Sequence, residues 1–404
     1  MESVVQNQVR AESAAAAGSA GGRFRARARA ALGRAWPALA LYLAIRVVSS
    51  VGYAVLTELF GAKAHRGRPL FTAVDGGWYH LIATYGYNVE VSAHYYGSVF
   101  GFFPLYPELM HYGSDVTGLP VNVVGLIVTW LSAAAAAWGL FEVGRLLYDA
   151  RTGVVLAALW AVVPSAIIES MLYADTLAVA FSVWAVYAVL RRWWLTAGVC
   201  AALAGLTRPT ASAVVAVVAL AALVAVVRRQ DGWRPWAGGL LAPAGLVAFF
   251  AYVAVRTNSV TGYFKEQKEG WGSYFDFGRS TFSRLAHGLL LSHGYATEAK
   301  IITTAVLVLV PILIVVQILN HQPWQLIAYT VISCVVVYGT VHIYTTSPRE
   351  LMPLFPLLLP PAVYLAKPER RVLAYSVLGV LAVASGWYAG YVTVMTGHPT
   401  LAIP

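Results

Sequence analysis

Charge is scarce in this chain. Asp, Glu, Lys and Arg make up 11% of its 404 residues while 59% are hydrophobic, and so few charges cannot clothe a soluble globule of that size. Cysteine is scarcer still. Only Cys200 and Cys334 occur, both inside apolar stretches, where a thiol behaves as a small hydrophobe and no disulfide framework follows. The sequence has no Asp-x-Asp, P-loop or dinucleotide-binding glycine fingerprint, no metal motif and no repeat, so neither a nucleotide sugar, a metal nor a cofactor is expected. The basic excess, formally +10, is split among short segments and forms no single basic face, which argues against a nucleic-acid partner.

The long apolar run is what the chain has in abundance. Runs of about 17 to 25 apolar residues, enough to cross a hydrocarbon core of ~30 Å, recur after residue 36. Spans are expected at 36–56, 121–147, 153–168, 172–190, 193–207, 210–227, 237–256, 301–319, 325–344, 352–366 and 371–395. The chain reads as an all-α polytopic membrane protein with about eleven transmembrane helices. Residues 1–35, rich in Ala, Gly and Ser and carrying Arg23, Arg25, Arg27, Arg29 and Arg34, read as a disordered basic cytoplasmic arm, and 36–404 as one membrane domain. The run Trp36 to Leu56 is too long for a signal-peptide core and ends without a small-residue cleavage site.

With the arm inside, alternation places Arg145 and Arg151, Arg191 and Arg192, Arg228 to Arg234, and Lys367 to Arg371 inside as well, as the positive-inside rule requires. A multi-pass plasma-membrane protein with a cytoplasmic N-terminus is the expectation. Residues 57–120, 169–171, 208–209, 257–300 and 345–351 then lie outside, and nearly all the unusual residues are there. Two of these segments are long and rich in Pro, Gly and aromatics, the composition of folded functional loops and not of linkers.

In the first, Asp75 precedes Trp78, Tyr79, Ile82 and Tyr85. Trp78, Ile82 and Tyr85 recur at spacings of three and four, which predicts a short helix lying in the interface with Asp75 at its amino end. Asp is a common N-cap. It is equally a general base that could take a proton from an acceptor hydroxyl, and spacing does not separate the two. One carboxylate suffices where the leaving group is a lipid phosphate, which departs as a stable anion and needs cations around it. Glu90 and His94 in the same loop could reach a sugar, and Phe102-Phe103-Pro104-Leu105-Tyr106-Pro107 is a rigid aromatic segment suited to shaping the site.

Other candidates sit at short outer turns. Glu169 and Asp175 flank the start of an apolar run, where a charge is costly and marks a cavity, an ion partner or a helix cap. Arg208, in Thr207-Arg208-Pro209, is outside, where the positive-inside rule would not put it. It is expected to pair with Asp175 or Glu169 or to bind a lipid phosphate. Arg349 raises the same question, with Glu350 as its obvious partner and His342 nearby. Lys265, Lys268, Arg279, Arg284 and His287, among Tyr, Trp and Phe in the segment 257–300, suit a lipid-phosphate or sugar surface and equally an ordinary headgroup-binding loop.

Taken together, Asp75-Gly-Gly-Trp78-Tyr79, Ile82-Ala83, Gly86-Tyr87, Glu90 and Phe102-Phe103-Pro104-Leu105-Tyr106-Pro107 resemble the first lumenal loop of the PIG-V family of mannosyltransferases, which belongs to the GT-C membrane glycosyltransferases. Weaker similarity continues through Tyr173-Ala174-Asp175 and Gly205-Leu206-Thr207-Arg208-Pro209. Val74 departs from the Trp that relatives often carry, and Asp175 from their Glu. The resemblance implies a GT-C-like fold, a polyprenyl-phosphate mannose donor, inversion at the anomeric carbon, no obligatory metal, and Asp75 as the catalytic residue. It leaves the acceptor open among glycolipid, glycan and protein. A rival class, a non-enzymatic lipid or solute flippase or transporter with Asp175 and Arg208 along its pathway, remains compatible with the residues themselves.

Overall fold

A computed structural model describes residues 2–61, 75–89, 97–289 and 298–394. Seventeen α-helices run through them: α1 Glu2–Gly61, α2 Asp75–Tyr85, α3 Leu105–Thr117, α4 Val121–Leu147, α5 Ala150–Trp160, α6 Asp175–Leu190, α7 Trp194–Gly205, α8 Ser212–Val227, α9 Arg234–Leu241, α10 Ala244–Thr257, α11 Gly262–Trp271, α12 Arg279–Leu289, α13 Glu298–Leu319, α14 Trp324–Gly339, α15 Ser347–Glu350, α16 Leu359–Leu365 and α17 Arg371–Val394. The residues expected as an amino-terminal arm extend α1 backwards from its span. No strand ladder forms among the described residues; a single antiparallel bridge joins Phe275 and Thr340.

Six stretches are long and apolar enough to cross a membrane: Arg29–Leu56, Val121–Leu147, Pro209–Val227, Arg234–Thr257, Ala299–Leu319 and Pro368–Gly390. The other five expected spans correspond to apolar helices of only 10–17 residues, Ala150–Trp160, Asp175–Leu190, Trp194–Gly205, Trp324–Gly339 and Phe355–Leu365. At 1.5 Å per residue these reach only about 15 to 26 Å, so helix length by itself supports six of the eleven expected spans. Proline stands close to the ends of three of these, with Pro164 after α5, Pro209 after α7, and Pro353 and Pro356 before α16, where it removes a donor and biases the preceding residue out of the helical region. Residues 161–174 are almost entirely buried although they are not α-helical. Irregular backbone in a membrane protein is tolerated where protein covers it or where it lines a cavity.

α4 packs on α5 and α6, α6 on α7, α7 on α9, and α1 on α17. Gly144 meets Gly153 where α4 crosses α5, and Gly198 meets Gly238 where α7 crosses α9. A Cβ on any of the four would run into backbone, so small residues set how closely these helices approach.

Candidate active site

The irregular segments converge on one ion network. Asp75 opens α2, Asp175 opens α6, Arg208 stands between α7 and α8, and Arg349 and Glu350 lie on α15. Nη2 of Arg349 is 2.6 Å from Oδ2 of Asp75. Its Nε and Nη2 also donate to the two oxygens of Asp175, each at 3.1 Å, the forked grip that a guanidinium makes and an ammonium cannot. Arg208 contacts Asp175 through Nη1 and reaches Oε1 of Glu350 through Nη2 at 2.7 Å. The order is Asp75, Arg349, Asp175, Arg208, Glu350, so three carboxylates face two guanidinia and one negative charge is left over.

Arg349 also lies 4.5 Å over the Tyr173 ring, a cation–π contact. Burial works against its charge, yet Asp175 and Asp75 more than offset this and hold the guanidinium protonated well above its ordinary range. The expected pairing of Arg349 with Glu350 is not found, because neighbours in a helix point about 100° apart; Glu350 serves Arg208 instead. Asp75 keeps 16% of its side chain exposed against 5% for Asp175. A substrate could therefore reach Asp75, while Asp175 is enclosed between its arginines.

A cavity of about 480 Å³ opens beside the network, with Asp75, Arg208, Arg349 and Glu350 on its polar side and Tyr79, Phe102, Phe103, Tyr263, Trp271 and Phe275 among its aromatic walls. The aromatic segment is held locally: the Tyr87 hydroxyl donates to the Phe102 carbonyl at 2.7 Å, and Trp271 donates Nε1 to the Ser98 carbonyl at 3.0 Å. The opposite wall is closed by the bridge between Phe275 and Thr340, with Val341 N donating to Tyr274 O at 2.8 Å.

Two further recesses lie in a row beside this cavity. The first, of about 450 Å³, shares Trp271 and His342 with it and adds Arg284 and Lys300. The His342 ring between them is fixed at both nitrogens, Nδ1 lying 2.7 Å from the Thr340 carbonyl and Nε2 2.9 Å from Ser347 Oγ. Arg284 donates to the His342 carbonyl at 2.8 Å. The second, of about 470 Å³, shares Gly288 with the basic recess and runs along α13 past Ile301, Ala305, Leu309 and Ile312. Ile301, Leu309 and Ile312 are exposed on a helix apolar enough to face lipid.

Of the residues singled out in the sequence, Asp75, Tyr79, Arg208 and Arg349 line the cavity and Asp175 ties the arginines together. Trp78 stands behind the wall, stacked on Phe102 at 5.7 Å and edge-on to Trp271 at 5.4 Å. The buried stripe of α2 is Tyr79, Ile82 and Ala83, while Tyr85, expected on one face with Trp78 and Ile82, is exposed. Glu169 is fully buried away from the cavity, accepting from the Tyr42 hydroxyl at 2.7 Å and lying 3.6 Å from Nε of Arg46. Lys265 and Lys268 are exposed and do not line the cavity, whose α11 wall is Phe264, Gln267 and Trp271. Glu90 and His94 lie outside the described residues. Arg284 is one of several basic residues of the 257–300 segment and Tyr173 part of the motif before Asp175, but the meeting of Arg284 with Lys300, of Tyr173 with Arg349 and of Glu350 with Arg208 depends on contacts between distant segments and has no local signature. Among the described residues no cluster of His, Cys, Asp and Glu could hold a metal ion.

Residues 104–255 match the family model described as dolichyl-phosphate-mannose-protein mannosyltransferase. The match takes in Asp175 and Arg208 and leaves out Asp75 and Arg349. No curated protein matches the sequence significantly. Among solved structures, ArnT from Cupriavidus metallidurans bound to undecaprenyl phosphate is similar with a TM-score of 0.51 at 15% identity, over 89% of this chain and 77% of that one. The apo oligosaccharyltransferase of Archaeoglobus fulgidus is similar with a TM-score of 0.52 at 14% identity, over 86% of this chain but only 56% of that longer one. The chain shares the GT-C-like fold of these two structures.

Proposed function

We propose that the protein is a membrane glycosyltransferase that moves a sugar, mannose as the first candidate, from a polyprenyl-phosphate donor to an acceptor hydroxyl outside the cytoplasm. The observation that carries this reading is a row of three neighbouring recesses. The cavity holding Asp75 shares Trp271 and His342 with the recess of Arg284 and Lys300, which shares Gly288 with the lipid-facing groove of α13. A sugar, a phosphate and a polyprenyl tail need those three environments in that order. Two cations at the middle station suit a phosphate that gains charge as it departs.

In the reaction, Asp75 accepts the proton of the acceptor hydroxyl as its oxygen bonds to the anomeric carbon. The bond from that carbon to the phosphate oxygen breaks, and its electron pair leaves with the polyprenyl phosphate. Attack opposite the leaving group inverts the anomeric centre. Arg349 engages one oxygen of Asp75 and orients the carboxylate, and Asp175 and Arg208 fix Arg349 in turn. This division of labour leaves the two network arginines to orient acids, while Arg284 and Lys300 receive the phosphate. The similarity of residues 104–255 to the mannosyltransferase family model and the undecaprenyl phosphate of the ArnT structure support the donor class.

The test is transfer from short-chain polyprenyl-phosphate mannose and, in parallel, its glucose counterpart, in membranes containing wild-type protein or Asp75→Asn, followed by product extraction and anomeric NMR. A mannosylated product of inverted configuration from wild type alone is expected. Equal product from Asp75→Asn would remove Asp75 from the chemistry, product from glucose alone would overturn the sugar, and a retained configuration would overturn direct displacement.

A further inference from the structure

At the end of the bundle opposite Asp75 lies a cavity of about 500 Å³ that the transfer reaction does not use. It is built from the far ends of helices whose near ends form the active site. Val189 and Leu190 close α6, which opens with Asp175. Val224 and Arg228 belong to the end of α8, which follows Arg208. Trp324 and Gln325 begin α14, which leads to Thr340 and His342. The rim is rigid. Asp231 accepts from Nε of Arg192 at 2.8 Å and from Nε1 of Trp194 at 2.7 Å, and Nη2 of Arg192 donates to Gln230 at 2.8 Å.

The charges around this cavity do not cancel. Arg192 is matched by Asp231, whereas Arg228 has no acidic partner among the described residues. Gln230 and Gln325 add side-chain amides to the lining. The floor is apolar, with Leu146, Val189 and Val224, and Trp194 and Trp324 stand at its edge. An uncompensated arginine, amide donors, interfacial tryptophans and an aliphatic floor between spans are the surroundings that an anionic lipid headgroup and its first methylenes require.

We infer that this cavity binds the headgroup phosphate of an anionic phospholipid, and that the lipid clamps together the ends of α4, α6, α8 and α14. By the alternation of charges the site faces the cytoplasmic leaflet, opposite to the transfer chemistry. It is independent of the donor path and of the identity of the sugar.

Native mass spectrometry of the full chain, titrated with phosphatidylglycerol or phosphatidylcholine at equal concentration, tests this, with thermal unfolding followed in parallel. Wild type is expected to retain phosphatidylglycerol preferentially and to unfold at higher temperature with it. Arg228→Gln should weaken retention about fivefold, the weight of one arginine at a lipid surface. Val224→Phe, which fills the floor without touching charge, should do the same. Arg370→Gln, a cation removed outside the cavity, should change nothing. Equal retention of the two lipids, equal losses from Arg228→Gln and Arg370→Gln, or full retention in Val224→Phe would each overturn the assignment. Stabilisation by inorganic phosphate alone to the same extent would assign the site to a free anion and overturn the lipid.

Discussion

Arg349 holds Asp75 at 2.6 Å and, with the same nitrogen, Asp175 at 3.1 Å. The exposed acid of the cavity and the enclosed acid behind it are thus joined through one guanidinium. Arg349→Lys keeps the charge but cannot make the fork to Asp175 while reaching Asp75. It is expected to fold and to lose at least about tenfold in kcat with a smaller change in donor KM, because a misplaced reacting group costs rate more than affinity. Arg349→Ala leaves Asp175 with one of its two partners and should destabilise the protein by about 3 kcal/mol or more. Steady-state kinetics and thermal unfolding in detergent separate the two outcomes.

The division between orienting and phosphate-binding cations makes a contrast among four basic residues. Arg284→Gln and Lys300→Gln should each raise the donor KM about fivefold, as expected for one cation at a lipid phosphate, and leave the fold intact. Lys265→Gln and Lys268→Gln should remain close to wild type, since neither side chain lines the donor path. A raised KM in the second pair with none in the first would move the phosphate to α11.

Much of this was legible in the sequence, for reasons that differ residue by residue. Hydropathy is local, so all eleven apolar segments could be located. Their lengths could not be read, because prolines such as Pro164 and Pro209 cut helices that a hydropathy window runs through. Asp75 and the aromatic run from Phe102 stood out by their spacing and punctuation. Arg208 and Asp175 announced themselves as charges in apolar surroundings, and one of the pairings anticipated for Arg208 is present. Glu169 had the same signature and yet sits in a structural pocket, since an apolar context marks a costly charge without naming its partner. The basic recess could be read only in part: Arg284 belongs to a basic, aromatic outer segment, but nothing local singles it out from its neighbours. Arg284 and Lys300 come together across 290–297, and no periodicity links them.

Asp276 caps the turn that carries one wall of the cavity. Its carboxylate accepts from Gly278 N at 2.9 Å and from Ser280 N at 2.8 Å, and its own N–H donates to Gly339 O at 2.8 Å. Desolvation raises its pKa, but the bonds from Ser280 and Gly278 outweigh that and hold the carboxyl below the usual carboxylate range. A depressed folded-state pKa stabilises the fold above the unfolded value, and the contribution is lost as pH falls through the folded one. The cap is therefore fully formed at neutral pH. Asp276→Ala should raise the donor and acceptor KM at neutral pH by loosening Tyr274 and Phe275, and Asp276→Asn, which keeps an acceptor oxygen, should recover part of the loss. Hydrogen exchange at Gly278 and Ser280 reports the cap directly and should accelerate in the alanine variant.

Arg46 and Glu169 form a buried pair that holds the irregular segment leading to Asp175. Arg46 donates to the Ala161 carbonyl at 3.2 Å and to Ser170 Oγ at 3.0 Å, and Glu169 accepts from Tyr42 at 2.7 Å. Both side chains are essentially inaccessible, and burial pushes the Glu169 carboxyl up to about 8, so removing Arg46 leaves a buried acid and its neighbouring acceptors without their donor, at about 1 to 3 kcal/mol per unsatisfied group, whereas replacing both partners by apolar groups of similar volume is often close to neutral. Arg46→Met should accordingly lower the unfolding temperature markedly and reduce transfer, because Tyr173 and Asp175 are carried by the segment it releases. Adding Glu169→Leu should restore most of the stability. If Glu169 instead touched substrate, the double variant would regain its unfolding temperature and still show a donor or acceptor KM raised beyond that of Arg46→Met alone, which is the measurement that decides between a positioning residue and a binding one.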